Sequence, residues 1–205
     1  EVEMDPSISS WTSKVKNLLE RNGFQDVWMY PESVNVNVFM PIFQNRLRDV
    51  YITEWNHGLS LSTSSLLYKE MKQSFEMSPY LLIVRNKKYR NAIAKIRLSS
   101  HQLNIETGRH TNIERSNRKC NLCNLNDLED EYHFTLICPI YKDLRIAYIK
   151  KYFYKRPNVM KFVELLNSTR PKILNNFAAF ILKAFKLRQS ILNANMDASV
   201  PPDTV

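Results

Sequence analysis

The chain is poor in glycine and cysteine and has no long apolar run, and each shortage narrows what it can be. Three glycines in 205 residues are too few for a β-sandwich or barrel, whose many tight turns need left-handed backbone. No apolar stretch approaches the roughly 18 residues of a membrane-spanning helix, so a membrane is not an expected partner. Three cysteines are an odd number, which tells against a framework of paired disulfides, as does the lack of a secretory segment among the residues given. The chain opens on Glu1 instead of Met and is expected to be part of something longer. What is plentiful is apolar side chain, 44% of the residues, enough for a real core.

The few cysteines are not scattered. All three lie within 19 residues, and with one histidine they are spaced Cys120-x2-Cys123-x9-His133-x4-Cys138. Two thiolates two residues apart can share one ion from a tight turn, and a later His and Cys complete a tetrahedron. One structural zinc ion, held by Cys120, Cys123, His133 and Cys138, is the expected cofactor. Four protein ligands leave no open position for water or substrate, so the metal is expected to build structure and not to catalyse. The competing readings are a disulfide with a spare thiol and three cysteines buried as small apolar residues. The odd count tells against the first and the clustering against the second.

Charge is also unevenly spread. Residues 1–84 carry seven basic and ten acidic side chains, and residues 120–205 carry twelve and eight. The 35 residues between them hold ten basic side chains, Arg85, Lys87, Lys88, Arg90, Lys95, Arg97, Arg109, Arg115, Arg118 and Lys119, against Glu106 and Glu114. A density of this kind running into the first metal ligand suits a polyanion, RNA or DNA, and equally a solvated helix face with a basic bias.

Apolar spacing predicts a mainly α chain. A first helix is expected from Ser9 to Glu20, with Trp11, Val15, Leu18 and Leu19 on one side and Gly23 at its end. A long one is expected from Val34 to Trp55 on Val36, Phe39, Phe43, Leu47, Val50 and Tyr51, with Gly58 breaking the pattern. A third, capped by Ser62 or Thr63, carries Leu66, Leu67, Met71 and Phe75. Pro79 opens an apolar turn from Tyr80 to Val84. A helix from Lys87 to Leu98 then buries Tyr89, Ile93 and Ile96 and turns Lys88, Arg90, Lys95 and Arg97 mostly to solvent. After the metal segment, Pro139, Pro157 and Pro171 each start a helix. Their stripes are Ile140, Leu144, Tyr148 and Tyr152; then Phe162, Leu165 and Leu166; then Leu174, Phe177, Ile181, Ala184 and Phe185. The fold class is thus a helical bundle with an embedded Cys-Cys-His-Cys segment, short strands or turns only around the metal, and a disordered tail. The expected divisions are a helical domain over 1–84, a basic helix and loop over 85–119, the metal segment with C-terminal helices over 120–192, and a tail over 193–205.

Single residues carry sharper expectations. Glu129, Asp130 and Glu131 are either acceptors that orient His133 or a plain solvated loop. Tyr89 and His101 could stack on unpaired bases, although core packing beside Ile93 suits Tyr89 better. His101 is not expected as a fifth ligand. Arg109, next to Gly108 in an expected loop, is the best single candidate for a phosphate contact.

Several segments between Trp55 and Tyr141 carry a resemblance. Ser78-Pro79-Tyr80-Leu81, Asn86-Lys87-Lys88-Tyr89-Arg90 and Arg97-Leu98-Ser99-Ser100-His101-x-Leu103-x-Ile105-Glu106-x-Gly108-Arg109 resemble the region behind the reverse transcriptase of animal non-LTR (LINE-type) retrotransposons. Cys120-x2-Cys123, Glu129-Asp130-Glu131-x-His133-Phe134 and Cys138-Pro139-x-Tyr141 are similar to the C-terminal zinc-binding segment of those polyproteins. His110 departs from the pattern, standing where an aromatic residue is expected, which would weaken a stacking contact.

The resemblance implies a nucleic-acid-binding accessory domain that holds template RNA or target DNA for an adjacent reverse transcriptase domain. It implies an intracellular setting, a nuclear or cytoplasmic ribonucleoprotein, and no small-molecule substrate. It does not imply catalysis by this piece, and the residues agree. There is no Tyr-x-Asp-Asp for polymerase metals, the only Pro-Asp is Pro202-Asp203 with no lysine after it, and no His-x-Glu precedes the CxxC as a zinc deaminase requires. The alternative reading is a protein-interaction or scaffold module with a structural zinc, a host protein derived from such an element included.

Overall fold

The computed structural model describes residues 11–62, 66–72 and 74–197. It is helical throughout, with an isolated antiparallel bridge between Lys119 and Leu128 in place of any strand among the described residues. The chain divides into two compact units, Glu1–Leu61 and Ser62–Val205.

In the first unit, α1 (Trp11–Arg21) ends where Gly23 takes a φ of +81°. Phe24 N–H then reaches back to the Leu19 carbonyl at 2.9 Å, the closure that a left-handed residue makes possible at a helix end. A short α2 (Gln25–Met29) packs on α1. The long α3 spans Val36–Leu61, past the expected end at Trp55. Gly58 sits inside it because nothing surrounds that position and a single glycine costs a helix only about 1 kcal/mol. Phe24, Phe39 and Phe43 form a three-ring cluster with centroids 5.3–5.5 Å apart. Of the expected apolar stripe on α1 only Leu19 is buried, while Trp11 and Leu18 are exposed.

The second unit holds a continuous core. α4 (Leu66–Met71) leaves out Phe75, which is exposed. α5 (Tyr80–Ile83) follows Pro79, and α6 (Lys87–Arg97) is capped by Asn86, whose side-chain oxygen accepts from Lys88 N–H at 2.9 Å and from Tyr89 N–H at 3.3 Å. α7 (Asn104–His110) comes before the metal segment. Beyond it, Pro139–Tyr141 makes a 3-10 turn that feeds α8 (Lys142–Tyr148). α9 (Lys151–Tyr154) and α10 (Val159–Leu166) follow, the latter capped by Asn158, and α11 (Pro171–Asp197) closes the unit.

α11 packs along α6 and α8. Leu174, Phe177, Ile181 and Ala184 of its stripe are buried against Ile93, Ile96, Phe134 and Tyr141, with Phe185 partly covered. Each of the larger ones, such as Leu174, Phe177 and Ile181, contributes roughly 1.5–3 kcal/mol by leaving water.

Several expectations are corrected. Met71, Tyr80 and Val84 belong to the second core, so residues 66–84 do not form one domain with the helices before them. The boundary expected between residues 119 and 120 falls inside this same core. Asn193 to Asp197 continue α11 instead of opening a disordered tail. Tyr152 is exposed and lies on α9, because the extended backbone at Ile149 interrupts the helix expected to run from Pro139. The Thr63 cap, Ser9 and the tail over 198–205 lie outside the described residues. Among the described residues no helix is long and apolar enough to cross a membrane.

Candidate metal centre

Local backbone brings the four soft ligands together. Cys120 N–H donates to the Asp127 carbonyl at 2.9 Å and Glu129 N–H to the Arg118 carbonyl at 3.0 Å. These bonds close a loop that carries Cys120 and Cys123, and Asn126 turns its tip in left-handed backbone at φ +58°. His133–Ile137 then forms a single wide π-turn in which Cys138 N–H bonds the His133 carbonyl at 2.8 Å. That turn sets His133 and Cys138 five residues apart on one side. The Asp130 carboxylate caps the turn, accepting from His133 N–H at 2.8 Å. Cys138 is extended, as the residue before a proline must be, and Pro139 starts the next turn.

The result is one group of donors. The ligand atoms of Cys120, Cys123, His133 and Cys138 all lie within 4.8 Å of one another and could hold a metal ion. His133 turns Nε2 inward, 3.4 Å from Cys123 Sγ. Its buried Nδ1 has no hydrogen-bond partner and lies 3.6 Å from the Asp127 carboxylate. Asp127 is therefore the group placed to orient the imidazole from behind, the role that Glu129–Glu131 were weighed for.

No disulfide forms, since the three cysteines are free thiols. Bonding from Cys138 outweighs burial and pulls the Cys120 thiol down to about 3. Cys138 is pushed up, chiefly by that same bond to Cys120, and Cys123 is pushed up chiefly by burial. A first thiolate at Cys120 thus shares the protons of its neighbours, and a cation at the centre would displace them.

The acidic run is not a solvated loop. Glu129 is fully buried, and Arg188 of α11 grips it with both branches, Nε to Oε1 at 2.9 Å and Nη2 to Oε2 at 2.7 Å. Asn104 N–H adds 2.8 Å to Oε2, and the Asn104 side chain donates to the Lys119 carbonyl at 2.6 Å. Glu131 accepts from Ser99 Oγ at 2.6 Å and lies 2.9 Å from His101 Nε2. Burial would raise its carboxyl, but His101 and Ser99 together hold it below the ordinary glutamate value. On the far side, Arg145 donates to the carbonyls of Thr135 at 2.8 Å and Cys138 at 2.7 Å, fixing the π-turn.

Sequence reasoning missed Arg145, Arg188 and Asn104. The signal for Arg188 was present: it falls four residues after Ala184 and three after Phe185, in register with the buried stripe of α11. A cation at a core position implies a buried partner.

The expected nucleic-acid residues divide in two. Arg85, Lys87, Lys88, Lys95 and Arg115 are exposed and Lys119 is half-buried. The others are tied into the fold. Arg97 is a correction: it is buried, donates to the Leu166 carbonyl at 2.6 Å and to Asn167 at 3.0 Å, and lies over the Tyr80 ring. Arg90 folds back on the carbonyls of Val84 and Arg85, both at 2.9 Å. Arg118 bonds the carbonyls of Ile113 and Ile105, also at 2.9 Å.

Arg109 lies in α7 and not in a loop, paired with Glu106 at 2.6 Å. Gly108 is there for Arg118, since a Cβ would stand 2.7 Å from Arg118 Cγ. His101 is committed to Glu131 with its side chain buried, and is not free to stack on a base in the open. Tyr89 is half-buried against the core, as preferred. No protein-family model, curated protein or solved structure matches this chain.

Proposed function

We propose that this chain is a zinc-stabilised nucleic-acid-binding accessory domain, which holds template RNA or target DNA beside a reverse transcriptase of the LINE type. The observation that carries the reading is the sorting of the basic stretch. Of its ten cations, five are exposed on the unit that contains the metal centre and Lys119 is half-buried there. Zinc suits the donor set of three sulfurs and one imidazole, because ligand bonds of about 2.3 and 2.0 Å put tetrahedral sulfurs about 3.8 Å apart. A separation within 4.8 Å needs only a small closure to reach that. The ion would be structural, with Cys120, Cys123, His133 and Cys138 filling its shell. The domain itself is proposed to be non-catalytic and to work within a nuclear or cytoplasmic ribonucleoprotein.

The test is binding of labelled RNA and DNA oligonucleotides across a salt series. With about six phosphates engaged, affinity should fall by about three orders of magnitude between roughly 50 and 200 mM salt. Charge removal at Lys87, Lys88 and Arg115 should weaken all sequences alike and leave zinc content unchanged. Salt-insensitive or absent binding would defeat the reading. The second reading, a protein-interaction module, is favoured by the first unit, where Trp11, Val36, Val38 and Ile42 are all more than half exposed.

A further inference from the structure

A groove of about 670 Å³ opens between the end of α6, the 98–103 connection, α7 and α11. A second depression, about 520 Å³, lies along the seam of α6 and α11 and shares Ala92, Lys95 and Leu182 with the first. The two form one continuous track. Its charged edge is α6, where Lys88, Asn91 and Lys95 follow at steps of three and four and so share one face. Its floor is apolar where Ile181, Leu182 and Phe185 line it, with Leu98 exposed at its edge. Gln102 and Gln189 stand at its rim, both exposed. The other charges are already matched: Arg109 is held by Glu106 and Arg188 by Glu129. The uncommitted positive charge therefore lies along α6, leading towards the apolar floor.

We infer that this track binds single-stranded nucleic acid, with phosphates along Lys87, Lys88 and Lys95 and an unpaired base inserted over Leu182 and Phe185. The inference rests on the nucleic-acid reading above and narrows it. A row of cations serves any polyanion. An apolar floor with an aromatic ring favours a ligand that also presents flat apolar faces, and primary amides can donate to or accept from a base edge. A duplex keeps its base faces stacked inside and has no use for the floor. An all-acidic peptide such as polyglutamate matches the cations but brings no apolar group for the floor.

The full chain should be titrated with fluorescein-labelled twelve-nucleotide oligo-dT, the corresponding duplex and polyglutamate of equal charge. The single strand should bind at least about ten-fold tighter than either competitor, since stacking adds to phosphate contact. Leu182→Gln, which keeps charge, should bring single-strand affinity down to the duplex level without changing duplex binding. Lys95→Glu should weaken the single strand about ten-fold. Circular dichroism and metal content, unchanged in both variants, would show that they fold. A bromodeoxyuridine strand should crosslink to peptides containing Leu98 or Phe185. Equal binding of strand and duplex, or crosslinks confined elsewhere, would overturn the track and leave nucleic-acid binding standing. Binding of polyglutamate alone would overturn both, as would no binding at all.

Discussion

The segment up to Leu61 and the remainder of the chain spend similar residues in opposite ways. The first has three tryptophans, several phenylalanines and a 26-residue helix, yet among its described residues Leu19 is the only buried apolar side chain. The second buries two dozen around Phe134, Phe180 and Ile96, and locks polar groups into the same core. Periodicity reports which residues share a helix face. It does not report whether another layer covers that face, and the difference between the two units lies there.

The sharpest way to break the comparison is to remove the metal. Apparent zinc binding in such sites is worth about 10–16 kcal/mol at neutral pH. Chelation or Cys138→Ser should therefore unfold at least residues 118–145, seen as lost amide protection there, while α1 to α3 keep theirs. Unchanged protection around His133 would remove the centre from the account. Next comes the buried ion pair. Glu129→Gln or Arg188→Met, leaving one charge unmatched, should each cost about 3–5 kcal/mol in chemical denaturation, and the double variant Glu129→Leu with Arg188→Met less than their sum.

Smaller again is a pair of ring truncations. Phe180→Ala in the second core should lose about 3–5 kcal/mol. Phe39→Ala in the first unit should lose less, about 1–3, from two ring pairs worth about 0.5–1.5 each. The finest test exchanges one hydrogen for a methyl group. Gly108→Ala should destabilise by about 1–3 kcal/mol, because Arg118 is anchored by two carbonyls and cannot step aside. Gly58→Ala in α3, where nothing lies within 4 Å, should stabilise by about 0.4–1 kcal/mol.

The helical class and the ligand group were legible because each is written in local spacing: steps of three and four for the helices, CxxC with a following His and Cys for the centre. The stripe of α11 was readable residue by residue for the same reason. What stayed hidden depends on partners distant in sequence. Arg97 looks like any surface cation until Leu166 and Asn167, about seventy positions later, offer it a carbonyl and an amide. Glu129 and Glu131 could be read only as acceptors for His133 or as a solvated run, because the groups that satisfy them sit on α11 and at the end of α6. Gly108 next to Arg109 suggested a loop, but the glycine makes room for Arg118 inside a helix. Net charge could be counted from the sequence, but which charges stay free could not.

The bond between Glu129 and Arg188 also sets an order of events during synthesis. The two partners are 59 residues apart, and the carboxylate emerges first. A nascent chain holds all four metal ligands well before it possesses the guanidinium that makes burial of Glu129 tolerable. The ligand loop can take up its ion early, whereas burial of Glu129 is matched only once Arg188 of α11 has left the ribosome. A chain stopped short of Arg188 would carry the complete metal motif and the buried stripe of α11, but would have to close the fold around an unmatched Glu129.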